Sequence, residues 1–445
     1  MGRGSPALPR GEVVLNTNAS DDSVRSSIVF FLVCAAIGAT VFGVARLIGN
    51  EYLFFAGYVV LQYIVLATAW NILGGYTGYV NFGSPAFFAL GAYASVFLYK
   101  VYPPLPIPAL ILIGAVISGI VGLGMGYLTL RLRGAFFAIA TLALAVVLQT
   151  LITNWTYLGG ARGAYVIRPT EVALIGPYMH YLCLLMLGLA VIALTVARSI
   201  EHSRLGLGLA AIRDDELAAE ASGVPTLKLK LIATTISGAL MGMAGAPFPY
   251  YLGYVQPQSA FAFDYAVNSI AMPMIGGTTS WVGPLIGAIL LGSLQQVANV
   301  TPLAQVNLLI VGLLIIDCVI IAPNGILGLV QRRRMAQPFA ADPAVFALLF
   351  AVNVIPIYFM HELELSQRSL EVIFWAVLIY LAFARGRLIG HPWLVALPIA
   401  AALLSVVPGP PWLWLVAAFV LTVALILGLV LKPGAPEPLA QGKVR

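Results

Sequence analysis

A succession of apolar runs, each about 20 residues long, leaves this chain few ways to fold. Ten can be laid out over residues 28–49, 52–73, 76–98, 109–130, 134–153, 172–197, 231–252, 263–279, 282–300 and 304–322. Four more follow at 344–360, 369–384, 392–407 and 412–431. A helix rises about 1.5 Å per residue, so about 20 residues cross a hydrocarbon core roughly 30 Å thick. No water reaches the backbone there, and a helix satisfies its own N–H and C=O groups. The runs are continuous rather than alternating, which excludes a membrane β-barrel. Only 9% of the residues are charged, against about 25% in soluble domains. The expected fold is an all-α integral membrane protein. It has a core of about ten helices within residues 28–330 and about four appended C-terminal transmembrane helices within 344–431. Tails at 1–27 and 432–445 and a basic linker at 331–343 complete the division.

Lysine and arginine gather on the cytoplasmic side of membrane proteins. One alternation, with both termini in the cytoplasm, puts nearly every basic cluster there. The clusters are Arg3, Arg10 and Arg25; Arg131 and Arg133; the stretch 198–230; Arg332, Arg333 and Arg334; Arg385 and Arg387; Lys432 and Arg445. Arg162 and Arg168 are the exceptions, on an external loop. The first 27 residues lack a secretory-leader pattern, so the first span reads as an uncleaved anchor. Cys34, Cys183 and Cys318 lie far apart inside apolar runs, and four histidines are scattered, so no metal site and no catalytic cluster is expected. The net charge of +6 reflects basic inner loops and gives nucleic-acid binding no support.

Ten of the chain's few charges fall within residues 198–230. Here Leu205, Leu209 and Ile212 recur at helical spacing, giving a short amphipathic turn and a half. Asp214 or Asp215 can cap a second short helix over residues 216–222, with Glu216 favourably placed against its dipole. Gly223 stands where a left-handed residue ends a helix, and Pro225 prevents continuation. Periodicity alone leaves two readings open, a solvated connector and a capped stub made to insert into a partner.

The segment SRLGLGLAAIRDDELAAEASGVPTLKLKL (203–231) resembles the cytoplasmic coupling loop of ABC-importer permeases, in the version of the branched-chain amino-acid uptake family. RLRGAFFAIATLALA (131–145), AWNILGGYTGYVNFGSPAFFALGAYAS (69–95), IGGTTSWVGPLIGAILLG (275–292) and APNGILGLV (322–330) resemble four further motifs of that family, in its order. Ser84–Pro85 replaces a frequent histidine of the family, and Ala322 and Asn324 stand where it usually carries arginines. The resemblance is to the larger, M-type permease subunit. It implies broken glycine-rich helices and half of a transmembrane path for branched-chain or other small apolar amino acids, in a bacterial inner membrane. No G-x-x-x-x-G-K-[ST] motif occurs, so ATP and Mg would be used by separate ABC ATPase subunits, with no cofactor on this chain. A second homologous permease subunit and an extracytoplasmic substrate-binding protein would complete the system, because the external loops look short. Contact with the ATPase would fall on Arg213, Asp214, Asp215, Glu216, Glu220, Ala221 and Gly223.

Gly74, Gly75, Gly78, Gly83, Pro85 and Gly91 crowd one apolar stretch. Such an interruption either lines a transport path or lets helices approach closely through small residues. Candidate path residues are Asn71, Gly78, Asn81, Gly83, Ser84, Gln149 and Asn268, with Asp317 and Asn353 as further polar groups inside spans. The heptapeptide GGYTGYV (74–80) parallels GGTTSWV (276–282), each expected at a cytoplasmic hairpin. Urea or short amides are the alternative cargo. A secondary transporter is the alternative of another class, but the ionisable mid-membrane groups it needs are nearly absent.

Overall fold

Nine of the expected spans are helices in the computed structural model, which describes residues 18–300, apart from 103–104, 131, 133, 168–170 and 173–175, together with 325–328. They are α1 (Asn18–Ile48), α2 (Glu51–Thr77), α3 (Ser84–Val101), α4 (Ile107–Thr129), α5 (Ala135–Asn154), α6 (Tyr178–Glu201), α9 (Thr226–Gly245), α12 (Phe263–Gly276) and α13 (Val282–Val300). Between α6 and α9 lie α7 (Arg204–Asp214) and α8 (Glu216–Ala221). Two short helices, α10 (Phe248–Leu252) and α11 (Pro257–Ala260), follow α9. Among the described residues six helices are long and apolar enough to cross a membrane: α1, α2, α4, α5, α6, and α9 continued through α10. The tenth span with Asp317 and Cys318, the basic linker and the appended helices with Asn353 lie outside the described residues, as do Arg131, Arg133 and Arg168.

Four boundaries differ from the sequence reading. A hairpin at Gly74–Gly75 was expected, yet α2 runs through both glycines and ends at Thr77, so the break falls at residues 78–83. Gly75 is a close-approach glycine inside the helix: an added Cβ would lie 2.5 Å from the Thr278 carbonyl oxygen. Gly78 ends the helix with φ 77°, and its N–H bonds back to Gly74 O. The second difference is at α6, which starts at Tyr178 rather than 172, because Gly176 (φ 94°) and Pro177 hold the chain extended. The preceding link is therefore longer than the short external loop expected. Its strand β1 (Ala164–Tyr165) pairs antiparallel with β4 (Tyr254–Val255), in the register Ala164 to Val255, and a short pair of β2 (Glu171–Val172) and β3 (Gly176–Pro177) lies before α6. Third, α7 forms three turns rather than a turn and a half. Fourth, Lys230 belongs to α9 and is buried, 2% exposed, rather than lying in a water-side loop.

Small residues hold the middle of the bundle. A Cβ added to Gly91 of α3 would lie 2.0 Å from Gly242 O of α9, and one at Gly242 would lie 2.6 Å from Gly114 O of α4. Ser118 on α4 donates to Phe87 O at 3.0 Å within the same seam. For Gly91 the close-packing alternative holds. The α12–α13 hairpin is built alike, with Gly276 against Gly283 O and Gly287 against Met272 O, and Gly325 lies on the Gly276–Gly277 backbone. The two similar glycine heptapeptides meet: Asn71 Nδ2 donates to Ser280 O at 3.5 Å, beside the Gly75–Thr278 approach.

The helix ends sort into two faces. Lys230 donates to Leu130 O at 3.3 Å, and Trp281 N donates to Glu201 at 2.6 Å, so residues 78–83, Leu130, 202–226 and 277–281 share one face. On the opposite face Lys100 donates to Tyr157 O at 2.7 Å, near the β1–β4 pair.

Candidate functional site

Between α6 and α9 the chain leaves the bundle, and local chemistry fixes its path. Gly206 is needed because a Cβ there would lie 2.3 Å from Ile200 O, and the Ser203 hydroxyl caps α7 by accepting from Gly206 N. Leu209 and Ile212 bury the inner face of α7, while Leu207 stays 73% exposed. Asp215, not Asp214, caps α8, its carboxylate accepting from Leu217 N and Ala218 N at 2.9 and 3.1 Å. The end of α8 is a left-handed cap. Gly223 (φ 85°) donates to Glu220 O and Val224 N donates to Ala219 O. On α8, Leu217 and Ala221 face outward, and Leu217 is 62% exposed.

The inner side of this stub is charged and buried. Lys230 lies 2.7 Å from the Glu216 carboxylate, with side chains only 2% and 13% exposed. The Tyr79 hydroxyl donates to the other Glu216 oxygen and accepts from Lys230 at 3.2 Å. Lys230 also stands 4.6 Å from the Tyr79 ring centre, and Phe137 of α5 meets that ring edge-on at 5.1 Å. Each ionised group thus has an opposite charge and further hydrogen-bond partners, the condition under which a buried pair is tolerated. Tyr79 belongs to the break between α2 and α3, so α8, α9 and the break meet at one junction.

The break is held by short-range bonds. Asn81 Oδ1 accepts from Gly83 N at 2.7 Å, Asn81 O accepts from Trp70 Nε1 at 2.9 Å, and Phe82 N donates to Thr141 Oγ1 on α5 at 3.2 Å. Gly83 precedes α3, and Ser84 begins it, buried with its hydroxyl unpaired within the described residues. Gly78 lies beneath Arg213 of α7, whose Cγ would be 3.5 Å from an added Cβ.

Of the expected coupling residues, Arg213, Asp214, Asp215, Glu216, Glu220, Ala221 and Gly223 all fall on α7, α8 and their caps. Their orientations differ. Asp214 is exposed beside Arg213 at 3.7 Å, Glu216 turns inward, and Glu220 accepts from Thr226 at the start of α9 at 2.6 Å. Of the expected path residues, Asn71, Gly78, Asn81, Gly83 and Ser84 are gathered around the break. Asn268 is elsewhere, accepting from Gln295 at 2.8 Å and donating to Tyr63 at 3.4 Å. Gln149 is half-buried on α5, apart from both groups.

Sequence reasoning missed Lys230, Tyr79 and Glu201. Lys228 and Lys230 are two positions apart, which on a helix points them to different sides, so one of them had to face the bundle. Glu201 ends α6 and accepts from both the Tyr76 hydroxyl at 3.2 Å and Trp281 N, fastening α2 to the α12–α13 hairpin.

Residues 52–319 match the family model described as branched-chain amino acid transport system, permease component. The high-affinity branched-chain amino acid transport system permease protein LivM of Escherichia coli K12 is 29% identical over 304 residues, which is 63% of this chain and 71% of that one. LivM of Salmonella typhimurium LT2 is 28% identical over 294 residues, 60% of this chain and 68% of its own. The ribose import permease protein RbsC of Escherichia coli K12 is 29% identical over a shorter stretch of 131 residues, 28% of this chain and 40% of that one. No solved structure matches the chain.

Proposed function

Because the chain belongs to the branched-chain amino acid transport permease family, we propose that it forms half of the transmembrane path of an ABC importer for branched-chain or other small apolar amino acids. Separate ATPases bind on the face carrying α7 and α8, which is cytoplasmic, and an extracytoplasmic binding protein delivers substrate on the other. A second, related permease completes the path. The observation that carries the reading is a capped helical stub, apolar outside at Leu217 and Ala221, whose inner side is tied by Glu216 to Lys230 and Tyr79. A six-residue helix cannot be stable alone, so its two caps and this buried pair hold a surface that would otherwise fray. Force applied to α8 reaches the break at 78–83 through Tyr79, one bond away. In this reading Gln149, a half-buried polar residue on α5, would face the second permease.

The test is co-purification of the chain with its ATPase. Ala221→Arg, which adds bulk on the outer face of α8, is expected to abolish the complex while the permease remains folded. Undiminished ATPase capture by that variant would remove the docking assignment. Radiolabelled leucine, isoleucine and valine, presented with the cognate binding protein, then decide the cargo.

A further inference from the structure

Arg25, Ser26, Val29, Phe30 and Val33 on α1 and Arg198 on α6 line an open groove of about 430 Å³. The Arg198 guanidinium lies 4.4 Å from the Phe30 ring and donates weakly to Ser26 O and Oγ, both at 3.4 Å. Phe30 in turn meets Trp281 edge-on at 4.8 Å, so Arg198 rests on a fixed platform. Among the described residues neither guanidinium is paired with a carboxylate. Glu201, one turn from Arg198, is taken up by Tyr76 and Trp281.

The position of the groove selects its occupant. Arg25 precedes the apolar run 28–49 by three residues, and Arg198 stands in the last turn of α6. Both cations therefore lie where a spanning segment meets water, the level of lipid phosphates. Val29 and Val33 continue along α1 at four-residue spacing, 53% and 50% exposed. Paired guanidinium groups bind phosphate oxygens through forked hydrogen bonds, and basic pockets between spanning helices take anionic headgroups. A free phosphate would use the arginines and leave the valine strip bare. We propose that this groove binds an anionic phospholipid, its phosphodiester held by Arg25 and Arg198 and an acyl chain lying along Val29 and Val33.

Native mass spectrometry of the purified full-length chain, released from micelles containing phosphatidylglycerol or phosphatidylcholine, tests this. The wild type is expected to retain phosphatidylglycerol several-fold more than phosphatidylcholine. Arg25→Gln with Arg198→Gln should erase that preference, and Val29→Asp should lower retention with both arginines in place. Arg25→Gln alone, at an exposed and unpaired residue, keeps the test valid if the double variant does not fold; it should reduce the preference without changing the melting temperature. Equal retention of the two lipids by the wild type, or an unchanged preference in the arginine variants, would overturn the proposal. So would displacement of phosphatidylglycerol by an equal concentration of glycerophosphoglycerol, which lacks acyl chains and would make this a small-anion site. Loss of ATPase capture by the arginine variants with lipid retention intact would assign the groove to the partner protein instead.

Discussion

The ammonium of Lys230 in α9 and the carboxylate of Glu216 in α8 lie 2.7 Å apart in a nearly dry site. Such a pair adds little net stability, since desolvation offsets most of the attraction, but stranding one member costs about 3–5 kcal/mol. Lys230→Met should therefore lower the melting temperature of the purified chain sharply. Adding Glu216→Leu should restore most of it, because an apolar pair of similar size is tolerated. A double variant no more stable than Lys230→Met would show that the pair is held by something other than its mutual charge.

The cap of α8 is a separate contribution. Asp215 accepts two backbone N–H groups that otherwise have no acceptor. Asp215→Ala should destabilise this end of α8 by about 1 kcal/mol, and Asp215→Ser should retain most of the effect. Amide exchange over residues 216–221 reads it directly, several-fold faster in the alanine variant. Unchanged exchange would mean that the buried pair alone fixes the helix.

At Glu201 the prediction turns on acceptor chemistry. Its carboxylate receives the Tyr76 hydroxyl and Trp281 N. Glu201→Ala removes the acceptor of Trp281 N and leaves Tyr76 only its longer bond to Ala197 O at 3.4 Å, and should cost about 1–3 kcal/mol. Glu201→Gln keeps an acceptor oxygen and should melt close to wild type. Equal melting of the alanine and glutamine variants would show that the hairpin is not fastened through this side chain.

Not every glycine should matter equally. Gly91→Val drives a side chain into the Gly242 backbone, 2.0 Å from where Cβ would be, and should prevent the fold from forming. Gly124→Ala, where nothing lies within 4 Å of an added Cβ, should be silent. Gly78→Ala has room, but its φ of 77° costs an L-residue about 1–2 kcal/mol. Expression and monodispersity in detergent rank the three, and equal behaviour of Gly91→Val and Gly124→Ala would remove the packing argument.

What could be read from sequence divides along the range of the interactions. A cap at Asp214 or Asp215 and the end at Gly223 were legible because caps depend on partners two to five residues away. The nine spans that fall on described residues were legible as helices because bilayer thickness sets one length for all of them. The junction was not, since Tyr79 and Lys230 are 151 residues apart and nothing local announces their meeting. The same blindness misplaced the end of α2: Gly74–Gly75 looks like a break until Thr278 arrives beside it. Asn268 illustrates the converse, since a polar residue inside a span announces a partner without saying whether it is substrate or, as here, Tyr63 and Gln295.

The central claim is that motion of the ATPase-bound stub reaches the α2–α3 break through Glu216, Lys230 and Tyr79. The direct measurement is the ratio of ATP hydrolysed to amino acid taken up by proteoliposomes carrying the chain, its partner permease, the ATPases and the binding protein. For Glu216→Leu with Lys230→Met, the account predicts a stable complex that still hydrolyses ATP, while uptake falls about tenfold or more, a barrier increase near 1.4 kcal/mol. A wild-type ratio of hydrolysis to uptake in that double variant would contradict it.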